Sequence, residues 1–469
     1  MRFVISLVRA VLVLLLVASP TAVAAQTGLS ADAKAAIDRA VIEILAQSGA
    51  PSASIAVVQN GALAYSHAYG TARIEPPLAA TPEMRYSIGS ISKQFTATAM
   101  LLLVEEGKLS LDDHVSRWLP DLTRAGEVTV RQLLSMTSGY QDYWPQDYVM
   151  PGMLKDVTPD AILRGWARKP LDFDPGAKWQ YSNTNYVIAG LIVEKVAGKP
   201  LVDFLRERIF SRLQMTSVSN TDESPLGPAE PMRYLRYALG PPRPAPKEGP
   251  GWMFAAGELA MTARDLALWD ISMIDQAVLR PASYRQMETE ILLANGAPTG
   301  YGLGVSVDMA GDRRRISHGG EVSGFTAHND VYPDHRAAIV VLTNLDATSA
   351  SSLIASRIAG ILFTATGGGT EQAVDQARRI FDDLQHGRID RSLFTDNTNA
   401  YFTAEALKDF ESSLGPLGKP TTFTQSGQSL RGGMVLRRFQ IRFQRRTLSL
   451  TTFTMPDGKL EQYQIAAVE

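Results

Sequence analysis

Strand-type apolar runs occur in two places far apart in this chain, and the residues between them follow a different period. Residues 54–59 and 62–69 make the first pair, joined by Asn60-Gly61, a dipeptide that accepts the positive φ angles of a two-residue hairpin. Strand patterns return only at 304–309, 326–332 and 337–344. Helical and loop patterns dominate the interval; the pattern turns helical over 91–106, and 187–196 and 201–212 are the clearest helices. Residues 225–250 are proline-rich and read as a long surface loop. Further helices are expected over 31–47, with Ile37, Val41, Ile44 and Leu45 on one face, and over 352–363. One antiparallel sheet assembled from both ends, flanked by helices and with a helical subdomain inserted, satisfies this order. The expected class is α+β.

The two ends of the chain read differently. Arg2 and Arg9 precede an apolar run from Ala10 to Ala18; Ser19-Pro20 breaks it, and Ala22-Val23-Ala24-Ala25 leads to Gln26. That is the pattern of a secretory signal over 1–25, cleaved near Ala24 to Gln26, and it points to a secreted or periplasmic protein. The apolar run is shorter than the ~20 residues that span a bilayer, and no later segment reads as an integral membrane helix. At the other end, Gly367-Gly368-Gly369 marks a linker over 366–370. Residues 371–469 then read as a separate small α+β domain, with helices over 371–385 and 404–414 before three strands. Phe439, Ile441 and Phe443 alternate there with Arg438, Gln440 and Arg442, the period of a half-buried sheet. Asp457-Gly458 makes its last turn.

Composition removes several kinds of chemistry. The 469 residues contain no cysteine, so disulfides, zinc-thiolate sites, a lipid-modified cysteine and a cysteine nucleophile are excluded. The histidines (His67, His114, His318, His328, His335 and His386) have no metal-binding spacing, and neither a metal nor a cofactor is expected. A net charge of -2 with no basic run gives no reason to expect nucleic acid. The expected partner is a small-molecule or peptide substrate.

Three short motifs remain. Ser90-Ile91-Ser92-Lys93 is the one Ser-x-x-Lys in the chain. On a helix, positions i and i+3 share a face. A lysine in the first turn faces the positive end of the helix dipole, which disfavours its charged form, and burial acts in the same direction. Such a lysine can serve as a base for the serine, while the serine N–H, pointing out of the helix start, can bind an oxyanion. By itself the pattern fits an N-cap serine beside a surface lysine better. Tyr181-Ser182-Asn183 offers a phenol that can pass a proton and an amide that can hold both a lysine and a substrate carbonyl. By itself it fits a turn with a core tyrosine. His318-Gly319-Gly320 precedes Glu321, and its glycines allow a close approach to backbone, as would a plain hairpin turn.

In this order and spacing the chain resembles the serine β-lactamase and penicillin-binding-protein family, nearest the class C enzymes and their esterase and D,D-peptidase relatives. The stretches around Tyr86 to Ala97, Val130 to Gly139 and Pro175 to Tyr186 carry the likeness, which extends over roughly residues 30 to 365. The resemblance implies a hydrolase domain over 26–365 with a β-lactamase/transpeptidase-like fold. It implies Ser90 as nucleophile, with Lys93 and Tyr181 sharing base and proton-shuttle work in an order left open. Asn183, His318, Gly319 and Gly320 would contact substrate, and the backbone N–H groups of Ser90 and Glu321 would form the oxyanion hole. His318 and Gly319 stand where many relatives have Lys-Thr, so the anchor for a substrate carboxylate is weakened. Esterase-like activity is therefore expected above β-lactamase activity. A D-Ala-D-Ala-type carboxypeptidase or aminopeptidase, a β-lactamase, and a non-catalytic penicillin-recognising sensor are the alternatives. The last part of the chain resembles cone-shaped NTF2-like domains. No Gly-x-Ser-x-Gly elbow and no phosphate-binding loop is present.

Overall fold

The computed structural model describes residues 28–146, 148–365, 368–431 and 434–467. The export signal expected over 1–25 lies outside the described residues. The first helix, Ala31–Ser48, is capped by the Ser30 side chain and stops at Gly49 with φ 75, a left-handed angle that a glycine adopts without Cβ strain. Asn60 and Gly61, with φ 56 and 76, form the expected tight turn between the strands Ser52–Gln59 and Ala62–Arg73.

These strands join the later ones in a seven-stranded sheet. Its order is Leu78–Ala79, Ala62–Arg73, Ser52–Gln59, Ala337–Thr343, Phe325–Tyr332, Arg313–Val322 and Ser306–Ala310. Neighbours run antiparallel, and Ile55 faces Val341 where the two ends of the chain meet. Both faces are covered. Ala53, Ile55, Val57, Ile339 and Val341 pack with the helices Ala31–Ser48 and Ala350–Ala365. Ala56, Val58, Ala338, Val340 and Leu342 turn the other way, into the core shared with the inserted helices. Burial on both faces explains why 337–342 is apolar throughout rather than alternating.

Ser92–Glu105 is the central helix of the insertion and is buried from Ser92 to Leu103. Such a helix has no polar face to show in its sequence. Beside it run Asn183–Ala197 and Ala263–Ile274. The helix expected over 201–212 is α-helical only over Leu201–Leu205 and continues as a wider turn over Arg206–Phe210.

Several expectations need correction. Arg313–Val322 is a full strand: the resemblance puts its His318-Gly319-Gly320 on a late strand, but the period of its own residues does not mark one. The proline-rich 225–250 segment is not wholly irregular, since Tyr234–Leu235 pairs with Arg243–Pro244 and Tyr234 is buried. Residues 368–370 belong to the helix Gly368–Gln385 rather than to a linker. The last part of the chain holds four strands, not three: Thr422–Arg431, Met434–Arg442, Thr447–Thr454 and Leu460–Ala467, paired in chain order. Phe439 and Ile441 point into its own apolar cluster with Phe381, Phe394, Phe402 and Tyr463.

Candidate active site

Ser90 sits in a tight turn, Gly89–Ile91, that runs directly into the central helix. The turn needs its glycine for two reasons. Gly89 has φ +51, and a Cβ there would lie 2.7 Å from the Glu321 nitrogen. One helical turn later Lys93 is fully buried. Its Nζ donates to Ser90 Oγ at 2.8 Å, Asn183 Oδ1 at 2.8 Å and the Ala256 carbonyl at 2.9 Å. Burial pulls the Lys93 ammonium down to about 7, against the opposing pull of Asp142. Once neutral, an amine held by these three groups can donate two hydrogen bonds and turn its lone pair to the serine hydroxyl.

Tyr181 lies just before the helix Asn183–Ala197. Lys93 Nζ is 5.0 Å from the centre of its ring. Burial pushes the phenol up, and a hydrogen bond with Ser90 partly opposes that rise. Tyr181 therefore holds its proton at neutral pH, whereas Lys93 titrates in that range.

Asn183 is the first residue of its helix. The helix has no side-chain cap from Ser182; its first N–H is met instead by a carboxylate from another loop. Asp142 Oδ1 accepts from the Asn183 backbone nitrogen at 2.9 Å, and the Asn183 Nδ2 lies 3.2 and 3.3 Å from the two Asp142 oxygens. Burial raises the Asp142 carboxyl above its usual range, while the Trp144 and Asn183 N–H groups and Lys93 act against it.

His318, Gly319 and Gly320 lie on the strand Arg313–Val322. Pairing with Ser306–Ala310 ends at Ser317, so the rest of the strand runs alongside the Ser90 turn. A Cβ at Gly320 would collide with the Ile88 carbonyl; a larger residue would push the strand and the turn apart. His318 is 5% exposed. Its Nδ1 is 2.5 Å from the Gly319 carbonyl and its Nε2 is 2.8 Å from the Tyr301 hydroxyl. The geometry assigns Nδ1–H as donor and Nε2 as acceptor. Burial, with Lys93 second, pulls His318 down to about 3. An unperturbed histidine would titrate near ~6.5; this one is neutral throughout the working range.

A cavity of about 390 Å³ opens above the serine. Ser90, Tyr181, Asn183 and Glu321 line it. His318, Gly319 and Gly320 are not among its described lining residues, although the His318 and Tyr181 rings are 6.3 Å apart. The rest of the wall comes largely from the loop that follows Tyr140: Asp142, Trp144, Pro145, Gln146, Tyr148 and Val149. Asp142, Tyr301 and the Ala256 carbonyl were not found from the sequence. Asp142 carries no motif spacing, a backbone carbonyl has no sequence signal, and Tyr301 is placed by the chain's return to the sheet.

Comparisons with known proteins show the family and the fold. The family model described as Beta-lactamase matches residues 37–361. A penicillin-binding protein of Bacillus subtilis is 27% identical over 391 residues, 78% of this chain and 84% of that protein. A D-aminopeptidase of Brucella canis is 28% identical over 306 residues, 65% of this chain and 58% of that protein's length. Among solved structures, a D-stereospecific amidohydrolase from Streptomyces is 28% identical, with a TM-score of 0.60 over 68% of this chain and 96% of that one.

Proposed function

The chain belongs to the β-lactamase family of serine hydrolases, and from that premise we propose that it cleaves neutral or cationic esters and amides through an acyl-enzyme on Ser90. The observation that carries this reading is the charge of the cavity. Its described lining includes the Asp142 carboxylate and no lysine, arginine or histidine, while the Glu321 carboxylate accepts from the Ala347 N–H. His318, where lysine-bearing relatives place a cation, is neutral.

In the proposed reaction, neutral Lys93 takes the Ser90 proton as Oγ attacks the carbonyl carbon. The carbonyl π pair moves onto oxygen, and the N–H groups of Ser90 and Glu321 receive that oxyanion. As the C–O or C–N bond breaks, the proton held by Lys93 passes through Tyr181 to the leaving alcohol or amine. Water then attacks the acyl-enzyme with the same groups in reverse, releasing an acid and free Ser90. Asn183 orients the substrate beside Lys93.

A charge-assisted hydrogen bond to a substrate carboxylate is worth about 1.5–3 kcal/mol, or roughly one to two orders of magnitude in affinity. A penicillin or a peptide C-terminus would forgo that contact here, whereas a neutral ester would lose nothing. The Asp142 carboxylate also favours a protonated amine on the acyl side. This gives a second reading, an amine-bearing D-amino-acid amide or peptide, consistent with the D-aminopeptidase and the amidohydrolase among the relatives.

The test is kcat/KM for p-nitrophenyl acetate, a D-alanine p-nitroanilide and nitrocefin at pH 6 and pH 8. The ester should exceed nitrocefin by about tenfold or more at both values. Because His318 does not titrate between them, the ratio should stay constant. A preference for nitrocefin would refute the carboxylate argument.

A further inference from the structure

Asp142 takes no part in the bond changes of the reaction as written, yet its carboxylate is hydrogen-bonded directly to Asn183. We propose that Asp142 is a positioning residue that sets the orientation of the Asn183 amide and, through it, the hold on Lys93. The inference rests on the acyl-enzyme reading above and deepens it.

An asparagine amide has two chemically different ends, and a flip exchanges a donor for an acceptor. Here Nδ2 faces the Asp142 carboxylate and Oδ1 faces the Lys93 Nζ at 2.8 Å. The flipped amide would set its oxygen against a carboxylate and its NH₂ against an ammonium. Both contacts would then be repulsive, so Asp142 and Lys93 together permit one orientation. The backbone contact from Asn183 N to Asp142 Oδ1, 2.9 Å, adds a second constraint. It caps a fifteen-residue helix whose own N-cap residue makes no cap bond, and a carboxylate at that end is favoured by the helix dipole. Asp142 thus fixes the backbone and the side chain of Asn183 at once. The Trp144 N–H, 3.2 Å from Oδ1, holds the carboxylate from its own loop.

The same carboxylate acts on Lys93 through space. Lys93 is faced by the Ser90 and Tyr181 side chains, the Asn183 amide, the Ala256 carbonyl and the Tyr186 ring, with neutral His318 beyond them. Tyr143 and Tyr181 also feel Asp142, and both phenols are pushed up and keep their protons. Asp142 is therefore the anion that favours the charged form of Lys93. The sign follows. Lys93 accepts a proton only when neutral, so deleting the Asp142 charge lowers the pH at which the enzyme switches on.

The test compares wild type with Asp142→Asn and Asp142→Ala, by pH profiles of kcat/KM and kcat for a neutral p-nitrophenyl ester. Fluorophosphonate labelling of Ser90 and thermal unfolding are run on the same samples. The alanine variant should lose about tenfold to a hundredfold in kcat with little change in KM. The asparagine variant, whose carbonyl can still accept from Asn183 N–H, should lose less. In both, the acid limb should move to lower pH by about half a unit or more. An unmoved acid limb, with kcat losses that merely follow the fall in Tm, would overturn the inference while labelled wild-type Ser90 leaves the acyl-enzyme reading standing. Failure of the wild-type serine to label would overturn that reading and this inference with it.

Discussion

At the scale of single residues, the proposed reaction is governed by the protonation of Lys93. Its three hydrogen-bond partners suit an ammonium, and only the lack of solvent brings its loss of a proton into the neutral range. The sign is fixed by its role: the base works unprotonated, so kcat/KM should rise with pH through about 7 and then level off. His318, held near 3, should add no second inflection between pH 5 and 8. Lys93→Arg keeps the charge but cannot shed a proton in this range, and steady-state rates should show it almost inactive. Activity within a few-fold of wild type would reduce Lys93 to a structural cation. In the proposed reaction Tyr181 is assigned to the later proton transfer, because burial favours its protonated form.

At the scale of elements, the site is a contact between the Ser90 turn and the strand Arg313–Val322, and two glycines set its closeness. Gly89 lies against the Glu321 backbone and Gly320 against the Ile88 carbonyl. A Cβ at Gly320 would separate the two pieces that carry the proposed oxyanion donors. Gly320→Ala should therefore lower kcat/KM by about a hundredfold in a protein whose circular dichroism stays native; an unchanged rate would remove the strand from the site. This strand also shows where the sequence could and could not be read. The order of elements, the Asn60-Gly61 hairpin and the Ser90 helix were legible, because each follows a period or a turn chemistry. Arg313–Val322 was not, since three arginines and a Gly-Gly pair interrupt its alternation, and neighbouring strands rather than its own residues keep it extended. The wall residue Asp142 was hidden for a related reason: what places it opposite Asn183 is the path of a loop, and no local rule encodes that path.

For the molecule as a whole, the buried apolar residues of the last strands form a cluster distinct from the two that sandwich the main sheet. No helix among the described residues is long and apolar enough to cross a membrane. Because the last strands bury their own apolar cluster, a chain ending near Thr366 should still fold and keep esterase activity, as gel filtration and turnover of p-nitrophenyl acetate would show. An insoluble product would mean that the two parts depend on a shared surface, such as the groove where Arg313 and Phe363 meet Gln425 and Gln428. All of this chemistry converges on one bond, the ester formed at Ser90. Intact-mass spectrometry of wild type and Ser90→Ala after exposure to a fluorophosphonate reads that bond without any assumption about the natural substrate. Wild type should gain one adduct, mapped to Ser90, and Ser90→Ala should gain none and hydrolyse nothing while folding normally. Turnover by a folded Ser90→Ala protein, or an adduct on another residue, would contradict the mechanism.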